Sequence, residues 1–341
     1  CRKFSVWLKK KYGSEENLRK AWNDMGLSAG ESLQKENIYP RPGHGYFSYE
    51  SEQAIKNGRP LPRHVADQAQ FLYEEQLAFY TKFIRAIRAT GYKGVIVGSC
   101  WQAGSGIAHF YNLHTDYIAG PIDRHNYFGG GTGHRLVPGK IVNQAMVSKP
   151  GSGLLSTGFQ QVDDRPFQLS EWMSLVPTEW IAESAPVIAT YGMGLQGWDA
   201  SFSFAMDYSN YTPTIQSGHG VYNVTSPTHL SLYPALSAMI YRKDIRESPV
   251  IVNRNINIKD LEDGLLKVNE KITQQTDFKN FTSTVPIESL AAGRVTLSFD
   301  KPDTDAVKDL KNYLDEKNKD VKSATGQLNW NYGGKGYFSI N

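Results

Sequence analysis

The sequence predicts an α/β fold: the C-terminal half (strands five to eight) of a (β/α)8 TIM barrel, followed by a β-sandwich-like domain. Three observations carry this expectation. From Gly94 to Ala200 strand-like runs, loops and helical stretches alternate, four strands in all, and each strand ends in polar or aromatic residues. That order belongs to a parallel sheet, and polar strand ends are what a barrel displays at its mouth. A complete barrel takes about 250 residues and eight strands, whereas only four strands are legible before Pro249. Past Pro249 the pattern changes to short alternating runs separated by turn residues. The expected domains are thus 1–249, a partial barrel, and 250–341, a β-rich sandwich domain, both incomplete.

The elements follow in order. Phe4 to Trp22 reads as two short helices: Phe4, Trp7 and Leu8 recur at helical spacing, and Ser14 before Glu15 and Glu16 is an N-cap with an acidic first turn. Tyr39 to Pro62, with PRPGHGYF, is a loop by its breakers. From His64 to Thr90 a long helix is expected, with Phe71, Leu72, Leu77, Phe83, Ile84 and Ile87 on one apolar stripe and Gly91 closing it. Gly94 to Trp101 (GVIVGSCW) is a buried parallel strand. Asp116 to Phe128 is a second, less apolar one. Pro166 to Trp172 (PFQLSEW) is a third, leading into a helix around Thr178–Ala189, and Met193 to Ala200 (MGLQGWDA) closes the series. IVNRNINIKDL, VPIESL, GRVTLSFD and QLNWNYGGKGYFSIN supply the later strands, and the charged stretch Asp303 to Lys322 is a surface helix.

Composition narrows the function classes. At 341 residues, 40% hydrophobic and 21% charged, the chain is globular. A net charge of +3 without a dense Lys/Arg block argues against nucleic acid. No apolar run approaches the roughly 20 residues of a membrane span. Two cysteines, Cys1 and Cys100, exclude a disulfide framework and the usual structural zinc site. The 7 Trp, 19 Tyr and 15 Phe beside 31 Gly suit an aromatic core, or a sugar-binding cleft under Gly-rich loops.

Glu171 is the candidate for chemistry. Ending an apolar strand between Ser170 and Trp172, its carboxylate suits a nucleophile attacking an anomeric carbon. His125, Asn126 and Tyr127 end one neighbouring strand, and Gln196, Trp198 and Asp199 end another. A His and a Tyr beside a carboxylate can orient it, and Trp198 suits the apolar face of a pyranose. His125 also reads as a packed histidine, and Trp198 as barrel packing. Ser99 and Trp101 share the first strand end. His109 and His114 lie five apart, which is wrong for one helix face, so no metal is expected. The serines lack G-x-S-x-G context, and Gly129–Gly131 lacks phosphate-loop spacing. No cofactor is expected.

These residues resemble a family. FSVWLKKKYGSEENLRKAW is similar to the segment of clan A glycoside hydrolases, especially the family 42 β-galactosidases, that follows the acid/base Asn-Glu pair at the fourth strand. GVIVGSCW, DRHNYFGGG, LSEW and LQGWD look like strands five to eight in the galactosidase- and agarase-like branches. The resemblance covers roughly residues 1–250. It implies a retaining β-glycosidase acting on a galactose-containing oligo- or polysaccharide, with Glu171 as nucleophile. By the same resemblance His125, Tyr127 and Trp198 line the sugar subsite, with Asn126, Trp101, Ser99, Trp172, Gln196 and Asp199 as further substrate-binding candidates. No Asn-Glu stands at a strand end upstream, so the acid/base and first four strands are expected outside this chain. Such a substrate implies an extracellular or periplasmic location. The rival expectation is a non-catalytic carbohydrate-binding protein on a partial barrel.

Overall fold

The computed structural model describes residues 1–41, 53–54, 56–101, 106–131, 133–205, 220–222, 224–267, 270–275, 278–301, 309–334 and 336–341. The opening helices form as expected: α1 is Arg2–Tyr12 and α2 is Glu15–Trp22. Ser14 caps α2, its hydroxyl accepting from the Asn17 amide at 3.1 Å. Their apolar faces meet Leu33, Ile38 and Phe71 in a small core of Phe4, Leu8, Leu18 and Trp22. Half of the expected loop Tyr39–Pro62 lies outside the described residues. The long helix, α3, is Arg63–Ala89, but only its first half is covered. Val65, Ala66, Ala69, Phe71 and Tyr73 are buried, whereas Phe83 and Ile87 of the expected stripe are exposed, as is Phe79.

Gly94 to Trp101 forms no regular ladder, contrary to expectation. The Ser99 amide donates to the Asp116 carboxylate at 2.8 Å instead of to a neighbouring strand. Among the described residues its one backbone bond to the neighbouring strand runs from the His125 amide to the Cys100 carbonyl. Asp116 itself belongs to a helix missing from the sequence reading, α4, Ile107–Ala119. It is buried on nearly every side, so it shows no polar stripe to betray its period. Strand β1 therefore starts later than expected, at Ile122–Gly129, and β2 is Phe167–Leu175.

The last expected strand, Met193–Ala200, is corrected most. Ser184–Leu195 is helical, with a π-helical second part, and the next strand, β3, is Ala200–Ser203. A short apolar run cannot by itself distinguish a buried helix end from a buried strand. Here a side-chain anchor holds the turn between them: Gln196 binds the backbone of Leu290, Gly293 and Val295.

The strands after 250 do not make two facing antiparallel sheets among the described residues. β4 (Val250–Ile256) and β7 (Arg294–Phe299) pair in parallel; β5 is Lys271–Gln275 and β6 Phe278–Thr282. The main sheet runs β3-β2-β1-β6-β5, parallel over its first four strands, with β5 antiparallel to β6. A separate antiparallel sheet, order β11-β10-β9-β8, contains β8 (Leu314–Asp315), β9 (Asp320–Lys322), β10 (Leu328–Asn331) and β11 (Tyr337–Ile340). The expected surface helix Asp303–Lys322 is, in its described part, a 3-10 turn and strands β8 and β9. One hydrophobic core joins Leu169 and Trp198 to Val252, Leu297 and Trp330, so packing crosses the 249/250 boundary. No described helix is long and apolar enough to cross a membrane.

Candidate functional site

The site is built where β2 departs from regular pairing. Along β1, Arg124 faces Leu169 but His125 faces Glu171; along β3, Ser201 faces Leu169 but Ser203 faces Trp172. Both neighbours register one extra residue in β2 at the same place, so the bulge belongs to β2 itself. A bulge bends its strand and re-aims side chains. Here it turns Ser170 and Glu171 together onto His125. Glu171 is therefore not at the strand end that the sequence suggested. β2 continues past it to Leu175, and the carboxylate opens to solvent beside the last residues of the shorter β3.

Two donors hold one carboxylate oxygen. The Tyr127 hydroxyl donates to Glu171 Oε2 at 2.6 Å, and His125 Nδ1 lies 3.2 Å from the same atom. His125 Nε2 meets the Ser170 hydroxyl at 2.8 Å. Burial lowers the His125 pKa below the usual imidazole value; Lys279 and Arg124 act with burial, and Glu171 and Asp123 against it. A neutral ring satisfies both contacts, Nδ1–H donating to Glu171 and Nε2 accepting from Ser170. The Glu171 side chain is 31% exposed, and among the described residues Oε1 accepts no hydrogen bond. The arrangement is a carboxylate oriented through one oxygen and presenting the other.

Aromatic rings flank it. On one side Trp101, 38% exposed, stands edge-on to His125 with ring centroids 6.2 Å apart. On the other, Tyr127 meets Tyr222 at 5.1 Å and Phe204 at 6.4 Å, both edge-to-face. Tyr222 and Phe204 were missed in the sequence. Phe204 follows β3 directly, so a strand placed correctly at Ala200–Ser203 would have pointed to it; Tyr222 carried no signal.

The other expected residues are placed elsewhere. Ser99 binds the Asp116 carboxylate through its hydroxyl at 3.0 and 3.1 Å. Asn126 is buried, donating to Thr157 Oγ1 at 2.7 Å and accepting from the Lys279 amide at 3.1 Å. Trp172 is buried against His229. Gln196, Trp198 and Asp199 precede β3 and lie level with the start of β2, where the Phe167 amide donates to Asp199. At about 3.3 Å per residue, four residues put them about 13 Å along the sheet from Glu171. Trp198 is 2% exposed and packs on Phe167. Burial also pushes the Cys100 thiol up, away from a reactive thiolate. Among the described residues no three His, Cys, Asp or Glu side chains converge as metal ligands do. His109 accepts from Gln160 at 2.6 Å, and His114 pairs with Tyr73 at 2.8 Å.

Comparison with protein-family models, with curated proteins and with solved structures finds no match to this chain.

Proposed function

We propose that the protein is a retaining β-glycosidase of a galactose-containing oligo- or polysaccharide, its β1–β2–β3 unit forming part of a (β/α)8-type barrel mouth. One observation carries the chemistry: a carboxylate held at Oε2 by a phenol and an imidazole, with Oε1 open, between aromatic rings. Galactose, and the barrel, rest on the sequence resemblance.

In this reading Glu171 Oε1 attacks the anomeric carbon as the glycosidic bond breaks, and water then releases the sugar from the glycosyl ester. Tyr127 and His125 keep the carboxylate aimed, so little reorganisation is needed at the moment of attack. The rings of Trp101, Tyr222 and Phe204 give apolar faces for pyranoses on either side. The scheme also needs an acid/base carboxyl about 5–5.5 Å from the nucleophile.

An activated substrate tests the nucleophile independently of the acid. Dinitrophenolate leaves without protonation, so a dinitrophenyl β-galactoside requires only the attacking carboxylate. The protein should release dinitrophenol and carry a galactosyl adduct on the peptide containing Glu171. Glu171→Gln should abolish both, on the order of 10³-fold or more, while binding a galacto-oligosaccharide nearly as well. Sugar binding without adduct or release would make the chain a carbohydrate-binding protein; neither binding nor release would overturn both readings.

A further inference from the structure

We infer that Lys279 is a positioning residue that fixes Trp101 as a sugar platform beside Glu171, an assignment that rests on the glycosidase reading for its ligand. Lys279 comes from β6, 154 positions after His125, and its side chain is wholly buried. Its ammonium lies 3.0 Å from the centroid of the Trp101 ring and 3.0 Å from the His125 carbonyl, to which it donates. Its amide donates to Asn126 at 3.1 Å. One residue thus grips the ring on the cleft wall and the two β1 residues behind it.

The placement of Trp101 depends on that grip. The segment leading to it, Gly94–Trp101, forms no regular ladder; Ser99 and Cys100 are tied by single bonds to Asp116 and His125, and the Lys279 ammonium is the contact on the face of the ring itself. The described contacts of Trp101 are the Lys279 ammonium on one face, His125 at its edge, and a 3.4 Å bond from the Ser99 hydroxyl to its carbonyl. With one face of the ring against the cation, the residue is still 38% exposed. His125 spans the distance from this ring to Glu171, touching the carboxylate at 3.2 Å. A pyranose stacked on Trp101 therefore lies next to the sugar that Glu171 attacks. Burying an ammonium is costly, and an aliphatic side chain would fill the same space more cheaply. What the cation adds is a directional hold on an aromatic face.

A double-mutant cycle with a ligand-free control tests the assignment. Calorimetry with a β-linked galactotetraose would compare wild type, Trp101→Ala, Lys279→Met, their combination, and Lys279→Arg. Trp101→Ala and Lys279→Met should each weaken binding about three- to tenfold, the double variant no more than Trp101→Ala alone, and Lys279→Arg should restore most of the loss. Near-ultraviolet circular dichroism should show the band lost in Trp101→Phe also lost in Lys279→Met and kept in Lys279→Arg. Should Lys279→Met not fold, Lys279→Gln takes its place in both measurements. Additive losses, an unchanged dichroism band, or no galactotetraose binding by the wild type would each overturn the assignment. Failure of the glycosidase reading looks different: no galactosyl adduct at Glu171, with the coupling between Lys279 and Trp101 intact.

Discussion

Trp198→Ala is expected to cost about 3–5 kcal/mol of stability. The indole is buried against Phe167, with Gly192 so close that a Cβ there would strike its ring. Chemical denaturation would measure the loss, and the folded variant should bind galactotetraose within twofold of wild type. Weaker sugar binding with unchanged stability would return Trp198 to the cleft. His109 predicts a pH dependence. Burial, reinforced by Arg124 and Arg254, lowers its pKa from 6.5 to about 3. Between those pH values the unfolded chain binds a proton that the folded chain does not. Stability therefore rises with pH across that window, and is lost as pH falls from 6.5 toward about 3. Burial lowers His114 and His229 in the same direction. Each histidine contributes at most about 1.4 kcal/mol per pH unit. Urea unfolding from pH 7 to 4 should show this slope, and His109→Gln should flatten it; an equal slope in the variant would refute the assignment.

At the scale of elements, Asp67 of α3 is the anchor for the first two helices. Its buried carboxylate accepts from Tyr12 at 2.5 Å, Trp22 at 2.7 Å, Arg63 at 2.8 Å and Lys11 at 2.9 Å. Burial and this carboxylate push the Tyr12 phenol up. Removing the acceptor leaves buried donors unmatched, so Asp67→Ala should cost about 3–5 kcal/mol, and Asp67→Asn less. Hydrogen exchange should quicken in α1 and α2 while β1 and β2 keep their protection; uniform quickening would make Asp67 a general core residue instead. The two helices were legible because their signals are local: the Ser14 cap, the acidic first turn of Glu15 and Glu16, and the spacing of Phe4, Trp7 and Leu8. α4 was not, because a helix buried on all sides has no amphipathic period.

Over the whole molecule, large apolar side chains stay exposed on several elements of the described residues. Phe79, Phe83 and Ile87 follow one another at helical spacing on α3, and Phe202 lies on the edge strand β3. The Phe79 and Phe83 rings touch in a tilted pair with centroids 4.4 Å apart, so these two make one exposed apolar patch. Exposed apolar patches and an unpaired strand edge favour association. Sedimentation velocity should show weight-average mass rising with concentration, and Phe79→Glu with Phe83→Glu should reduce it severalfold. Concentration-independent monomer in the wild type would contradict this.

The sequence by itself determined the α/β class, the parallel neighbours β1 and β2, the opening helices, and Glu171, His125 and Tyr127 as residues brought together. Each of these follows from local patterning: apolar runs of strand length, caps and breakers, and polar residues in adjacent strands. Tertiary structure decided the rest. The bulge at Ser170 is a mismatch between strands, which no single strand's pattern contains. Whether Met193–Ala200 ended a helix or made a strand depended on Gln196 finding the backbone of Leu290, Gly293 and Val295, and that moved Trp198 from cleft to core. The placing of β5 and β6 in the main sheet, and Lys279 under Trp101, joined residues more than 150 positions apart. Hydrophobic burial and charge desolvation act on whatever the fold brings close, and sequence spacing does not measure that distance.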